Sequence, residues 1–221
     1  IYSNWLVEFC NMNLKYYYWY FHSVISPKLC DDIIKHCSSN LKAAKIGGEA
    51  DENDKPDRWW TEGKTIEKKR KSQVAFFDDR WIYKEIQPYV HQANANAGWN
   101  FQWDFSEACQ FTKYKLNQFY DWHCDSWHKP YNKPEQPDRH GKIRKLSVTV
   151  SLSDENDYEG GDFEFDFRND DKGSNQPRLC KEIRPKGSVV VFPSFVWHRV
   201  KPVTSGTRYS LVIWNLGWPF K

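Results

Sequence analysis

The spacing of apolar residues changes character near residue 99 of this 221-residue chain. Upstream, residues 14–25 (LKYYYWYFHSVI) are aromatic and β-branched and predict a strand. Ser26-Pro27 follows, an N-cap residue ahead of a proline suited to a helix's first turn. Leu29, Ile33, Ile34, Cys37 and Leu41 then recur at helical spacing, so 27–41 reads as an amphipathic helix. Residues 44–72 are rich in Gly, Asp, Glu and Lys, include Glu67-Lys68-Lys69-Arg70-Lys71, and read as a solvated loop. Residues 73–77 (QVAFF) predict a short strand. Asp79 can cap a helix carrying Trp81, Ile82, Ile86, Tyr89, Val90 and Ala93 that stops near Gly98, with Pro88 expected to kink or split it.

From residue 99 onward the runs are short and alternating, at 101–105, 108–115, 119–124, 144–152, 162–167, 180–184, 188–193, 196–201 and 207–214. Gly, Pro, Asn and Asp separate them, which predicts a sandwich or barrel. The pattern thus divides the chain into a supporting region, 1–98, and a strand-rich core, 99–221, within one compact domain. Two long connections, 126–143 and 168–179, are candidate functional loops.

Composition narrows the class. Only 39% of residues are hydrophobic, but twelve Trp, twelve Tyr and fourteen Phe supply the bulk of a packed core and exclude overall disorder. The net charge of +3 argues against a dedicated nucleic-acid binder. The basic residues at 129, 133, 139, 142, 144 and 145 are diluted by Glu135 and Asp138 and read as a solvated loop. No apolar run approaches the ~18 residues of a membrane span. The six cysteines, at 10, 30, 37, 109, 124 and 180, form no CxxC pair, so they read as reduced thiols of a cytoplasmic protein rather than as zinc ligands. No signal peptide is visible, and a start at Ile1 rather than Met leaves room for an upstream segment.

The chemistry concentrates in Trp122-His123-Cys124-Asp125. In an extended segment His123 and Asp125 face the same way and can grip one metal ion. His198, in Phe195-Val196-Trp197-His198-Arg199-Val200, is the best third ligand. Two histidines and a carboxylate on one octahedral face mark non-haem Fe(II) oxygenases. Ten residues beyond His198, Arg208 and Ser210 share a strand face, where a guanidinium and a hydroxyl can hold a carboxylate. An acid anchored there can reach the metal with its other end. His22, His36, His91, His128 and His140 read as surface or supporting groups.

His123-x-Asp125, His198 and Arg208, in this order, resemble the Fe(II)/2-oxoglutarate-dependent dioxygenase superfamily, most closely its prolyl 4-hydroxylase-like, PKHD-type branch. The resemblance covers roughly 72–216. Arg70-Lys71-Ser72-Gln73-Val74-Ala75-Phe76 is similar to the segment before that family's long helix, and Tyr158-Glu159-Gly160-Gly161-Asp162-Phe163 to its Glu-Gly-Gly turn. Pro185-Lys186-Gly187-Ser188 through Phe192-Pro193 is similar to the approach to the distal histidine. The run from His198-Arg199-Val200 to Gly206-x-Arg208-Tyr209-Ser210 is similar to the closing motif. Many prolyl 4-hydroxylases carry Lys where Arg208 stands, which places this chain nearer the PKHD-type and oxygen-sensing relatives. Asp125 sets it apart from the halogenase variant.

The resemblance implies a mainly β fold with supporting helices, built on a double-stranded β-helix: a cupin-like jelly roll. It implies His123, Asp125 and His198 as iron ligands, and Arg208 assisted by Ser210 on the distal carboxylate of 2-oxoglutarate. Tyr114 resembles a tyrosine that hydrogen-bonds the cosubstrate, and Tyr120 a family aromatic near the site. Ascorbate is the expected reductant. The expected activity is hydroxylation of a peptide or protein substrate, at proline. The alternatives are hydroxylation of a free amino acid or other small molecule, and a non-catalytic jelly-roll binding module. Trp122, Trp127, Trp197 and Tyr131 are candidates for an apolar wall at the site, and the two long loops are candidate lids.

Overall fold

Alternation of polar and apolar residues sets the central strands, and the clearest case is Ile143–Ser151. There Leu146, Val148 and Val150 alternate with Ser147, Thr149 and Ser151, yet every one of them is buried. A strand buried on both faces belongs in the middle of two layers. The computed structural model describes residues 14–45, 69–126, 129–167 and 176–220.

In chain order the elements are β1 (Trp19–Phe21), α1 (Pro27–Cys37), β2 (Lys42–Ala43), β3 (Arg70–Lys71), β4 (Gln73–Phe77) and α2 (Arg80–Asn96). Then come β5 (Phe105–Ser106), β6 (Cys109–Tyr114), β7 (Phe119–His123), β8 (Ile143–Ser151), β9 (Tyr158–Gly160), β10 (Phe163–Asp166) and β11 (Arg178–Leu179). The chain closes with β12 (Val189–Pro193), β13 (Trp197–Val200), β14 (Val203–Gly206) and β15 (Arg208–Gly217).

The major sheet runs β1-β12-β8-β15-β6-β4-β2, with β5 paired to β15. The minor sheet runs β11-β10-β13-β7-β3, and β14 pairs with β9 alone. The outer face of the major sheet (Phe111, Val148, Val150, Val189, Val191, Leu211 and Ile213) packs on Cys30, Ile33, Ile82, Ile86 and Val90 of the two helices. Its inner face meets the minor sheet through Phe192, Phe163 and Phe165, whose rings contact one another. Two antiparallel sheets face to face, with helices outside one of them, make the expected jelly roll. No helix among the described residues is long and apolar enough to cross a membrane.

The Ser26 hydroxyl accepts the Leu29 N–H at 3.2 Å and starts α1. This helix ends at Cys37 rather than residue 41, because Ser38-Ser39-Asn40 turns into one 3-10 turn in which the Ser38 hydroxyl donates to the Ile34 carbonyl. Asp79 stands at the N-cap of α2 without capping it: its carboxylate pairs with His36 instead. Pro88 does not split α2. Pro88 and Lys84 are both exposed, so water can satisfy the Lys84 carbonyl left without a partner.

The predicted strand 14–25 shrinks to β1, since Ser23 takes a left-handed φ of 48° and its N–H turns to the Ser188 hydroxyl. Residues 180–184 form a 3-10 turn over Lys181–Ile183 instead of a strand. The buried pair there, Cys180 and Ile183, is spaced by three, a turn period rather than an alternation. Within the expected loop 44–72, Arg70–Lys71 forms β3 on the edge of β7, while 46–68 lie outside the described residues. The described part of the 126–143 connection is closed by hydrogen bonds from Tyr131 N–H to the Lys142 carbonyl and from Gly141 N–H to the Tyr131 carbonyl. Trp127, His128 and 168–175 also lie outside the described residues.

Candidate metal centre

β13 and β7 are antiparallel neighbours, and their register makes His198 and His123 direct cross-strand partners. Their rings lie 4.1 Å apart, centroid to centroid. β7 stops at His123, so Asp125 is not on the strand as the sequence suggested. It reaches the same space from a bend, because the Asp125 and Ser126 N–H groups both donate to the Ser194 carbonyl at the end of β12. One carboxylate oxygen then lies 3.8 Å from His123 Nε2 and the other 3.6 Å from His198 Nε2. The three donor atoms fall within 4.8 Å of one another.

Each imidazole is oriented by the strand that carries it. Nδ1 of His123 lies 2.8 Å from the Asp121 carbonyl, and Nδ1 of His198 lies 2.9 Å from the Val196 carbonyl. A carbonyl only accepts, so each Nδ1 carries the proton and each Nε2 presents a lone pair to the cluster. Burial, and then the neighbouring His198, hold the His123 imidazole well below its ordinary value, in the neutral form that ligates. Burial pushes Asp125 up, but His198, His123, Arg144 and the Ser147 hydrogen bond outweigh it and hold its carboxyl low.

The donor set and its geometry fit an octahedral divalent ion with open positions. Adjacent ligands around such an ion, with bonds of about 2.1 Å, stand about 3 Å apart, and the two carboxylate-to-imidazole separations of 3.8 and 3.6 Å exceed that by less than 1 Å. The other described histidines are engaged elsewhere. His36 pairs with Asp79, His22 and His91 contact Tyr20 and Trp103, and His140 accepts the Lys133 N–H.

A second group of polar residues lies on β15 and its neighbours. On the inner face of the major sheet, register pairs Arg208 with Tyr114 and Ser210 with both Thr112 and Ser151. Arg208 is only 2% exposed, and no carboxylate pairs with it among the described residues. Its Nη1 donates to the Ser210 hydroxyl at 3.3 Å, and its guanidinium stands 5.5 Å from the Tyr114 ring centroid. The room for its stem comes from Gly161: a Cβ there would meet Arg208 Cδ at 3.0 Å, and the φ of +60° disfavours any side chain. A buried guanidinium beside a hydroxyl has the chemistry to receive a carboxylate.

Tyr120 lies flat on His123, with ring centroids 3.5 Å apart and planes 15° apart. Burial raises its phenol to about 12, so it stays protonated. Trp122 and Trp197 do not wall the cluster. Each is adjacent to a histidine on its strand and so faces the opposite way, where Arg199 covers the Trp122 ring. The Tyr131 hydroxyl reaches Glu107, which also accepts from Arg144. Arg144 in turn lies 3.8 Å over Trp214.

The structure thus brings His123, Asp125 and His198 together, joins Arg208, Ser210 and Tyr114 as a second group, and stacks Tyr120 on the first. The sequence reading missed Ser147, whose hydroxyl donates to Asp125 Oδ2 at 2.7 Å, and the buried acid Glu107. The signal for Ser147 was present: hydroxyl residues alternating inside an apolar strand mark a polar interior. Nothing local marked Glu107.

Residues 109–215 match the sequence model of the 2OG-Fe(II) oxygenase superfamily. A PKHD-type hydroxylase from Synechococcus sp. (strain CC9902) is 39% identical over 95 residues, which cover 43% of this chain and 35% of that protein. The chain therefore spans about a third of the length of this curated relative. Among solved structures, a viral collagen prolyl hydroxylase from Paramecium Bursaria Chlorella virus-1 superposes with a TM-score of 0.59 at 18% identity, covering 92% of this chain and 97% of that one. A Trichoplax adhaerens prolyl hydroxylase, solved with a hypoxia inducible factor peptide fragment, gives a TM-score of 0.62 at 15% identity, covering 97% and 88%. At these identities the structural matches establish the fold. Residues 109–215 carry the pattern of the 2OG-Fe(II) oxygenase superfamily, and the chain resembles that superfamily's PKHD-type hydroxylase branch.

Proposed function

We propose that this chain is an Fe(II)- and 2-oxoglutarate-dependent hydroxylase whose substrate is a prolyl residue of an extended peptide. The observation that carries the reading is one close two-histidine, one-carboxylate cluster, together with the buried guanidinium of Arg208 on the inner face of the major sheet. His123, Asp125 and His198 would hold the metal and leave the remaining coordination positions free. When bound, ferrous iron supplies the redox chemistry, in which 2-oxoglutarate and O2 become succinate and CO2 as one oxygen atom enters a C–H bond.

The chain's own residues bind, orient and shield. Arg208 and Ser210 receive the distal carboxylate and so fix how far the diacid reaches toward the cluster. Tyr114, beside Arg208, offers a hydroxyl to the same ligand. Tyr120 covers one face of His123, and Phe163 and Phe192 pack against His198, which keeps bulk water from the donor atoms. Ascorbate is proposed as the reductant that keeps the iron ferrous between turnovers. The buried cysteines Cys30, Cys37, Cys109 and Cys180, in no disulfide among the described residues, support a reducing compartment, the cytoplasm.

The peptide reading draws on the prolyl hydroxylases that share the fold. The test is mass spectrometry of a proline-rich peptide panel and of free proline, each incubated with Fe(II), 2-oxoglutarate and ascorbate. Gain of one oxygen on prolyl peptides but not on free proline supports the proposal. Gain on free proline alone makes it a small-molecule hydroxylase, and no gain beside intact metal binding leaves a binding module.

A further inference from the structure

We propose that Arg70 is a positioning residue for His123 and acts on it through Tyr120; this rests on reading His123 as a metal ligand. Arg70 is 7% exposed. Its Nε donates to the Ser72 hydroxyl at 3.0 Å, while its Nη2 is sealed from solvent without a hydrogen-bond partner. No carboxylate among the described residues pairs with it. A buried guanidinium with no acid beside it is costly, so its retention calls for another favourable contact. The contact it makes is with a ring: its Cζ stands 4.4 Å from the Tyr120 centroid.

Backbone register builds the column. β3 pairs with β7 so that Arg70 lies directly opposite Tyr120. Tyr120 and His123 are three apart on β7 and would face opposite sides of a regular strand. Across β13, however, the step from His198 to Val200 is matched by the step from His123 to Tyr120, two residues against three. That extra residue is a β-bulge, and it turns Tyr120 onto the face of His123. Guanidinium, phenol and imidazole then form one stack.

The stack constrains what the backbone cannot. The Asp121 carbonyl holds Nδ1 and fixes His123 within the plane of its ring. Tilt out of that plane is opposed by Tyr120, and Tyr120 is pressed down by Arg70. His198 has a different support, with the rings of Phe192 and Phe163 angled against it at 64° and 44°. A ligand must hold its direction to within ~10–20° to bind metal well. The cation over Tyr120 thus sets the aim of one ligand from two side chains away.

The test uses Co(II) alone as probe, titrated calorimetrically into the full chain. Arg70→Ala is expected to weaken Co(II) binding about tenfold, the loss typical when a ligand's support is removed. Arg70→Gln, flat but uncharged, is expected to follow it, and Arg70→Lys to restore most of the affinity. In a Tyr120→Ala background, Arg70→Ala is expected to add no further loss, a non-additivity that mere tethering of β3 would not produce. Should Arg70→Ala fail to fold, Arg70→Gln and the Tyr120 background carry the same comparison. Wild-type affinity in Arg70→Gln, or losses that add in the double variant, would overturn the inference. If His198→Ala leaves Co(II) binding at the wild-type level, the metal-centre reading falls, and this inference with it.

Discussion

The Ser147 hydroxyl donates to Asp125 Oδ2 at 2.7 Å and shares a 2.9 Å hydrogen bond with the Ser194 hydroxyl. Ser147 lies on β8 in the middle of the major sheet, whereas Asp125 sits on a bend beyond β7. The carboxylate is therefore aimed by the sheet opposite its own, and the two-histidine, one-carboxylate cluster depends on how the two sheets stand against each other.

Ser147→Ala should leave the fold intact and weaken Co(II) binding by about tenfold, because Asp125 loses the donor that fixes its direction. Ser147→Thr keeps the hydroxyl and should bind near the wild-type level. Isothermal titration of both variants checks this, and equal affinities in Ser147→Ala and wild type would remove Ser147 from the site.

Arg208→Ala should lower 2-oxoglutarate affinity by about tenfold or more, the loss expected for a charge-assisted contact, while Co(II) binding persists. Gly161→Ala should give an intermediate loss, since its Cβ would meet the Arg208 stem at 3.0 Å. Titration of 2-oxoglutarate into the Co(II) form measures both. A Gly161→Ala variant weaker than Arg208→Ala would place the effect outside the clamp.

Glu107 is buried and accepts from Arg144, with Arg139 Nε 3.6 Å from its other oxygen. Glu107→Ala leaves the largely buried Arg144 without its acid, a change that costs about 3 kcal/mol or more. Chemical denaturation should report that loss, and a variant as stable as wild type would mean that solvent already screens the pair.

Burial raises the thiols of Cys30 to about 11 and of Cys37 and Cys109 to about 12, from an ordinary value of 9.0. Below that ordinary value the thiols are protonated in both folded and unfolded chains, and their contribution to stability is fully present. As pH rises, the unfolded chain ionises first, so stability should fall from about pH 9 through about pH 12. Denaturation midpoints at about pH 8 and about pH 10.5 test this, with Cys109→Ala expected to flatten the slope. Equal wild-type midpoints at the two values would contradict it.

What the sequence disclosed follows from how local each determinant is. The two helices, β4 and most core strands were legible because caps and alternation are written in neighbouring residues: Ser26 before α1, Leu146-x-Val148-x-Val150 in β8. The short edge strands were not. β3 exists because β7 offers it a partner, and no periodicity in Arg70-Lys71 announces that. Among site residues, the seven candidates converge into two adjoining groups, since each carries a side chain whose chemistry is recognisable alone. Ser147 and Glu107 are ordinary residues whose importance is set by what lies across the sheet. The Tyr120–His123 stack was illegible for another reason: a bulge breaks the very alternation from which side-chain facing is read.

The proposed chemistry requires a single ferrous ion held by His123, Asp125 and His198, with a diacid reaching from it to Arg208. Anomalous diffraction at the iron edge, from crystals grown anaerobically with Fe(II) and 2-oxoglutarate, tests it directly. The prediction is one peak about 2.1 Å from Nε2 of both histidines and from an Asp125 oxygen, with the distal carboxylate of the diacid against the Arg208 guanidinium. A peak bound by any other set of residues, or a diacid lodged away from Arg208, would contradict it.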